Sequence, residues 1–575
     1  MKRLLVYLKP YRKECVISPL FKLLEALFDL LVPLVVKDII DVGIANADKP
    51  HIFLLCGVLA GFAVVGLTCA LIAQYFAARA AVGFSTDVRR DLFAHIQKLS
   101  YAETDRIGIS TLITRMTADI NQLQSGVNMT LRLLLRSPII VFGAMIMAFT
   151  VKWKSALVFV VIIPLLAAVV FSIMLKTIPL FKRVQGDLDR VTSVTRENLT
   201  GSRVIRAFRK ENAEIEQFNT ANEAHNRSQN FVGKISALMN PITLVLVNLG
   251  VILLLLSGGQ LVQIGELTQG EVVALTNYMA QILVELVKFA NTIFLVNKAL
   301  ASGNRVEAVF ETPVGMQVRP ANTEKQSDDA VTFQGVSLTY QRNAEPSLSG
   351  LSFSVPKGAT VGIIGSTGSG KSSVVHLISR FYDVTEGCVL VNGRDVRTQD
   401  TEELRAKIAT VPQKPILFRG TVRSNLLWGN PDATDEELWS ALEAAQAKEF
   451  VEQKDGGLDA PVTQNGKNFS GGQRQRLTIA RALVRRAEIL ILDDSSSALD
   501  YATDATLRTA LRSLPYKPTT FLISQRTSSI RHADLILVME DGELVGQGTH
   551  DQLLESCEVY REIYESQFQK GGETV

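Results

Sequence analysis

The sequence predicts a chain in two parts: an N-terminal α-helical domain that crosses a membrane six times, then a soluble α/β domain. Three observations predict this. Apolar runs long enough to cross a bilayer core, roughly 20 residues each, crowd about the first three hundred of the 575 residues. The rest of the chain has the mixed composition of a soluble protein. Within it, VGIIGSTGSGKSS at 361–373 passes from an apolar strand pattern through a glycine-rich turn into a helix pattern.

Length and composition bound the rest. A chain of 575 residues is too long for one compact domain. The net charge of +3 implies no overall pull toward nucleic acid or anionic lipid. The five cysteines (Cys15, Cys56, Cys69, Cys388, Cys557) are scattered and lack CxxC spacing, so they read as reduced thiols and not as a disulfide or zinc framework. The N-terminal MKRLLVYLKPYRKE is basic but has no short apolar core with a small-residue cleavage site. It reads as a retained amphipathic lead-in to the first span.

The candidate spans lie near 15–37, 53–75, 130–150, 155–180, 237–259 and 272–296. The second and third, and the fourth and fifth, are separated by long polar stretches without turn signals. Such stretches are implausible as loops and read as the same helices continuing into water and turning at their tips. Charge orients the bundle. Lys2, Arg3, Lys9, Arg12 and Lys13 precede the first span. Arg89, Arg90, Lys98, Arg106 and Arg115 fill the first long connection, and Lys182, Arg183, Arg190, Arg196, Arg203, Arg206, Arg209 and Lys210 the second. The short connections hold little beyond Lys49, Lys152 and Lys154. The positive-inside rule therefore predicts that both termini and both long connections are cytoplasmic.

Charges also fall inside the spans. Glu25 and Asp29 are four apart on one helix face, and Glu285 and Lys288 are three apart. Ionisable groups at such depth mark either a translocation pathway or pairing between helices. Both readings stay open.

Residues 312–327 are polar, with two prolines and no periodicity, and read as a linker between a membrane domain at 1–311 and a nucleotide-binding domain at 328–575. In the latter, Gly365, Ser366, Thr367, Gly368, Ser369 and Gly370 form a loop whose backbone N–H groups converge on phosphate oxygens at a helix N-terminus. Lys371 would reach the β- and γ-phosphates; Ser372, followed by Ser373, would hold magnesium. The apolar ILILDD at 489–494 ends in Asp493, a magnesium-site carboxylate by position. Between these elements, NFSGGQRQRLTIARAL at 468–483 opens a basic helix through a Ser-Gly-Gly turn, a second anion site.

GSTGSGKS, FSGGQ, ILILDD and SALD stand in the order and spacing of the ATP-binding cassette (ABC) superfamily, and with the six-span domain the whole chain resembles a bacterial ABC exporter half-transporter. The resemblance implies a six-span exporter transmembrane domain followed by an α/β P-loop ABC ATPase domain, with ATP and Mg2+ as cofactors. It further implies that Tyr340 stacks on adenine, that Gln413 senses magnesium and the membrane domain, and that Asp500 communicates across a dimer. Ser470, Gly471, Gly472 and Gln473 would bind the nucleotide held by a second subunit. The stretches at 103–119 and 197–208 resemble the family's cytoplasmic tips, whose short helices press on the ATPase domains.

The chain departs from the family at two places. The resemblance implies Glu after the magnesium Asp, where this chain has Asp494, and His in the switch after the last core strand, where it has Gln525. The six histidines all lie elsewhere (His51, His95, His225, His376, His532, His550). Asp reaches one methylene less than Glu, so a water it held would be displaced by about 1 Å, a shift that costs on the order of a hundredfold in rate. Gln525 donates a hydrogen bond but cannot carry a positive charge. Phe469 stands for the usual Leu in an otherwise intact signature. Together these features predict an obligate heterodimer in the cytoplasmic membrane of a bacterium. This chain's own site would bind ATP and hydrolyse it poorly, while its FSGGQ completes the site of a non-identical partner. The expected activity is multidrug-type export of small apolar or amphipathic compounds, in contact with membrane lipid and without nucleic acid. Lipid, peptide or siderophore transport uses the same architecture, and a membrane-tethered ATP-dependent regulator would share the poor hydrolysis. The lack of a cysteine-protease-like extension before the first span weakens peptide processing.

Overall fold

A computed structural model describes residues 3–314, 316, 328–340, 345–495 and 499–568. The expected linker at 312–327 lies mostly outside them. The chain divides into two compact units: Met1–Gln97 with Ile109–Thr312, and Lys98–Gly108 with Pro313–Val575.

The described residues of the first unit are helical, joined by short turns. Among the described residues, five helical stretches are long and apolar enough to cross a membrane: Lys49–Gln97, Ile109–Val151, Trp153–Thr200, Glu211–Gln263 and Gln269–Glu311. The sequence predicts six. The remaining helix, Arg12–Asp38, has 27 residues, but Lys22, Glu25 and Asp29 sit so near its middle that every 18-residue stretch of it contains all three. The polar connections are helical, as expected. Lys49–Gln97 has 49 residues, about 74 Å at 1.5 Å per residue, more than twice a hydrocarbon core of roughly 30 Å. At the tips lie two short helices, Tyr101–Ile107 and Ser202–Ala207. Ser100 caps the first, accepting from Glu103 N, and Gly108 ends it at φ 83°.

Small residues set the packing. Ala73, Ala77, Ala80 and Ala81 are fully buried on Lys49–Gln97, which brings that backbone close to Arg12–Asp38, and Ser18 Oγ donates to Ala73 O over 2.9 Å. At Gly126 a side chain would place its Cβ 2.2 Å from Ala299 Cβ, so only glycine allows that approach.

The second unit is an α/β fold. Its main sheet runs, edge to edge, Glu543–Gly548, Leu535–Glu540, Thr360–Gly365, Thr519–Ile523, Ile489–Asp493 and Ile408–Val411. All neighbours are parallel except the first pair. Thr360–Gly365 and Ile489–Asp493 are almost wholly buried, which is why they read as unbroken apolar runs in place of alternating ones. Parallel strands end together, so the carboxyl ends of three neighbours, at Gly365, Ile523 and Asp493, form one rim. An antiparallel sheet built on Asp329–Leu338 and Leu348–Pro356 packs in the same apolar core. A separate core gathers Phe450, Phe469, Leu477 and Leu483 under the signature helix.

Candidate nucleotide-binding site

The glycine-rich loop leaves the strand Thr360–Gly365 and enters the helix Lys371–Ile378. Its shape requires glycine at two points. A Cβ at Gly365, where φ is +155°, would meet Met539 O at 2.0 Å, and one at Gly370, φ +91°, would meet Leu348 Cδ2 at 2.6 Å. Ser366, Thr367 and Gly368 are exposed along the loop and Ser369 is buried beneath it. Lys371 Nζ donates to Ser366 O at 2.5 Å and Gly365 O at 3.0 Å, so its charge is held over the loop's own carbonyls. Burial lowers the ammonium's pKa below 10.5, against the opposing pull of Asp494 and Asp493.

Asp493 ends its strand on the same rim. Ser372 Oγ donates to Asp493 Oδ1 over 3.0 Å. Burial raises the Asp493 carboxyl above 3.8, partly offset by the Ser372 bond. A hydroxyl and a carboxylate at hydrogen-bond distance make a hard, oxygen-only pair. That pair suits a magnesium ion which takes its other ligands from phosphates and water. Among the described residues no group of three or more His, Cys, Asp or Glu side chains could cage a metal unaided. The loop and this pair therefore fit ATP with Mg2+: Lys371 and the loop N–H groups would hold phosphates, and Ser372 and Asp493 the ion.

The next residue, Asp494, is in the left-handed region at φ 45°, a conformation Asp tolerates better than most. Its N–H bonds Ile523 O at 3.1 Å, and Gln413 Nε2 lies 3.4 Å from its Oδ2. Gln413 is exposed, in the loop following Ile408–Val411. Gln525 is also exposed, two residues beyond the end of Thr519–Ile523, with its carbonyl accepting from Gln567 Nε2 at 2.7 Å. The fold thus brings Lys371, Ser372, Asp493, Asp494 and Gln413 together and puts Gln525 on the loop leaving the adjacent strand.

Tyr340 joins this group through the phosphate-loop helix. Its hydroxyl donates to Ser373 Oγ at 2.8 Å, and its half-exposed ring meets Tyr382 edge-on at 4.8 Å. Tyr382 was not legible as a site residue. It carries the contact onward: its hydroxyl donates to Asp105 Oδ2 at 2.6 Å, and Phe381 beside it packs against Tyr101 at 4.6 Å between ring centroids. The tip segment Lys98–Gly108 thereby clusters with the cassette.

The signature forms its own helix start. Ser470 Oγ accepts from Gln473 N at 3.3 Å while Gln473 Oε1 accepts from Ser470 N at 3.0 Å, a reciprocal cap at the head of Gly471–Val484. A Cβ at Gly471 would meet nothing within 4 Å, so this helix end faces open space. Phe469 is 3% exposed and packs edge-on to Phe450, so the aromatic in place of Leu fills a core and leaves Ser470 and the glycines outward. This helix packs on Val422–Leu426, Asp435–Ala444 and Ile408–Val411, whereas the phosphate-loop helix packs on other strands. Asp500 caps Tyr501–Arg512, accepting from Thr503 N at 2.9 Å, which holds its exposed carboxyl below 3.8. Ser497 and Ala498 of SALD lie outside the described residues.

Residues 15–286 match the family model for the ABC transporter transmembrane region, and 348–497 that described as ABC transporter. An ABC transporter ATP-binding protein of Mycobacterium tuberculosis (strain CDC 1551 / Oshkosh) is 38% identical over 567 residues, 98% of this chain and 97% of the relative. An ATP-dependent lipid A-core flippase of Idiomarina loihiensis is 31% identical, covering 99% of this chain and 97% of its own length. YgaD of Bacillus subtilis, provisionally named a multidrug export ATP-binding/permease protein, is 33% identical, covering 98% of each chain. A solved structure of a bacterial Atm1-family ABC exporter with ATP bound shares the fold at TM-score 0.81 and 23% identity, over 97% of this chain and 98% of that one. The chain belongs to the ABC transporter family, as an exporter that joins a multi-pass helical membrane domain to an ATP-hydrolysing cassette in one polypeptide.

Proposed function

We propose that this exporter works as one half of a heterodimer in a bacterial cytoplasmic membrane, with both termini in the cytoplasm, moving small apolar or amphipathic compounds outward. Its own site retains ATP and hydrolyses it slowly, and its signature helix completes the faster site of a non-identical partner. Tyr340 stacks on the base. The loop from Gly365 to Ser373 holds the phosphates, Asp493, Ser372 and Gln413 attend the ion, and Asp500 with Ser470–Gln473 faces the partner.

One observation carries the reading: the binding half of the site is intact where the water-activating half is short. Ser372 and Asp493 are joined by a direct bond, and Lys371 is bonded to the loop's own carbonyls at Gly365 and Ser366. The carboxylate that would prepare water is the one-methylene-shorter Asp494, spaced a long 3.4 Å from Gln413, and the switch position holds an amide that cannot become cationic. The test is to purify the chain with its partner and compare Asp494→Ala with loss of the partner's catalytic carboxylate. Slow-site status requires the second to stop turnover and the first to leave most of it. Abolition of turnover by Asp494→Ala alone would end the proposal.

Similarity to a lipid A-core flippase favours lipid as a second substrate reading. ATP-dependent, vanadate-sensitive uptake of lipophilic dyes against labelled lipid in inverted vesicles separates the two, and uptake of neither would point to a regulator.

A further inference from the structure

The membrane unit contains a charge network that the nucleotide chemistry does not use. Arg136, at the start of the helix Arg136–Val151, is its hub. Its Nη1 donates to Glu285 Oε1 at 2.7 Å and its Nη2 to Asp29 Oδ2 at 2.8 Å, with Glu25 Oε1 at 3.7 Å. Lys22 pairs with Glu25 at 2.6 Å and Lys288 with Glu285 at 3.0 Å, while Ser137 Oγ donates to Glu285 Oε2 at 2.9 Å. Three cations (Lys22, Arg136, Lys288) thus balance three anions (Glu25, Asp29, Glu285), drawn from three helices.

Against this network lies a cavity of about 430 Å³, whose wall includes Asp29, Arg136, Gln281, Glu285, Pro33 and Val284. The charged groups on the wall are unequally open. The Arg136 side chain is 10% exposed and that of Glu285 6%, whereas that of Asp29 is 45% exposed. Gln281 also lines the wall, but its oxygen is covered. Its Nε2 donates to Asp29 O at 3.2 Å, which fixes the amide's orientation and leaves the buried Oε1 without a hydrogen-bond partner. The rest of the wall is largely apolar. The face offered to an occupant is therefore one open carboxylate with the exposed Asn277 amide on largely apolar surface, the guanidinium being covered by its own anions.

We infer that this cavity is a binding site for amphipathic compounds with a cationic, hydrogen-bond-donating head, Asp29 taking the head with the Asn277 amide on the same wall, and Pro33 and Val284 the apolar body. An anionic head would meet the open carboxylate of Asp29. A neutral compound would gain the apolar contacts alone. In a region poor in water that difference in charge is heavily weighted. The inference rests on the export reading for its purpose, but it concerns binding and is tested without transport.

The test is equilibrium binding to the full-length transporter in detergent, read by fluorescence, with ethidium as a cation bearing amine donors and N-phenyl-1-naphthylamine as a neutral probe. Asp29→Asn keeps an oxygen toward Arg136 and removes the charge. It should weaken ethidium about tenfold or more, roughly 1.4 kcal/mol, and leave the neutral probe within about twofold. Asp29→Glu should restore most of the ethidium affinity. Glu25→Gln makes the same change in network charge off the cavity wall and should leave ethidium within about threefold. Unchanged ethidium binding in Asp29→Asn, equal weakening of both probes, or a Glu25→Gln loss matching it would overturn the inference and reduce the network to an interhelical clamp. If the binding pattern holds but no vesicle transports either probe, the export reading fails and the site stands.

Discussion

Ser372 Oγ donates to Asp493 Oδ1 across 3.0 Å, joining the first turn of the phosphate-loop helix to the end of a buried strand. Two polar groups from segments 121 residues apart are thus held together, an arrangement that would suit one ion. Ser372→Ala should weaken Mg·ATP about tenfold, and Asp493→Asn should remove the magnesium-dependent part of the affinity, leaving metal-free ATP binding nearly unchanged. Fluorescent-nucleotide titration with and without Mg2+ reads both. Equal losses in the two conditions would mean that the pair only shapes the loop.

The same carboxylate sets a pH dependence. Burial raises the Asp493 pKa above 3.8, so folding favours its protonated form. That contribution is complete below 3.8 and is lost as pH rises through the raised value, and at neutral pH the ionised group costs stability that a bound cation offsets. Magnesium-dependent ATP affinity should therefore fall on acidification with a midpoint above 3.8, and Mg·ATP should raise the melting temperature more at pH 7 than near that midpoint. A midpoint at or below the ordinary Asp value would show that Asp493 is not the ligand.

Tyr382 connects Tyr340, at the nucleotide site, to Asp105 in the tip segment. Tyr382→Phe keeps the ring contacts and removes a charge-assisted hydrogen bond, about 1–2 kcal/mol. ATP hydrolysis should persist while transport per ATP falls, as it should for Tyr101→Ala. A proportional fall in both activities would mean that the bond is only structural.

In the membrane unit, Arg136→Met should be severely destabilising, by about 3–5 kcal/mol, because it leaves buried Glu285 short of its main partner. Adding Glu285→Gln should recover a good part of this. Thermal unfolding of the detergent-solubilised variants measures both. A mild single-variant effect would show that Lys288 and Ser137 suffice to hold Glu285.

The cassette was legible because its chemistry is contiguous in sequence. The loop at 365–373, the strand ending at Asp493 and the Ser-Gly-Gly helix start at 470–472 each announce themselves within a few residues, and the strands and helices form there. What escaped depends on distance. Nothing near Tyr382 signals Asp105, 277 residues away. Glu25, Asp29, Glu285 and Lys288 were legible as charges inside the spans, but their hub was not, although Arg136 in LLLRSPIIV is itself an unexpected ion in an apolar run and could have been singled out on that ground. The count of spans differed for a related reason. The helix Arg12–Asp38 spends apolar character on Lys22, Glu25 and Asp29, which matter for the network it builds with other helices and not for its own hydropathy.

The decisive experiment is steady-state ATP hydrolysis at this chain's own site, with the partner's site silenced, before and after Asp494→Glu with Gln525→His. Lengthening the carboxylate and restoring a chargeable ring should raise turnover about tenfold or more with little change in ATP affinity. Turnover already brisk in the unaltered chain would mean that Asp494 is a competent base and the site was never slow, and slow turnover unmoved by the double substitution would mean that neither residue limits it.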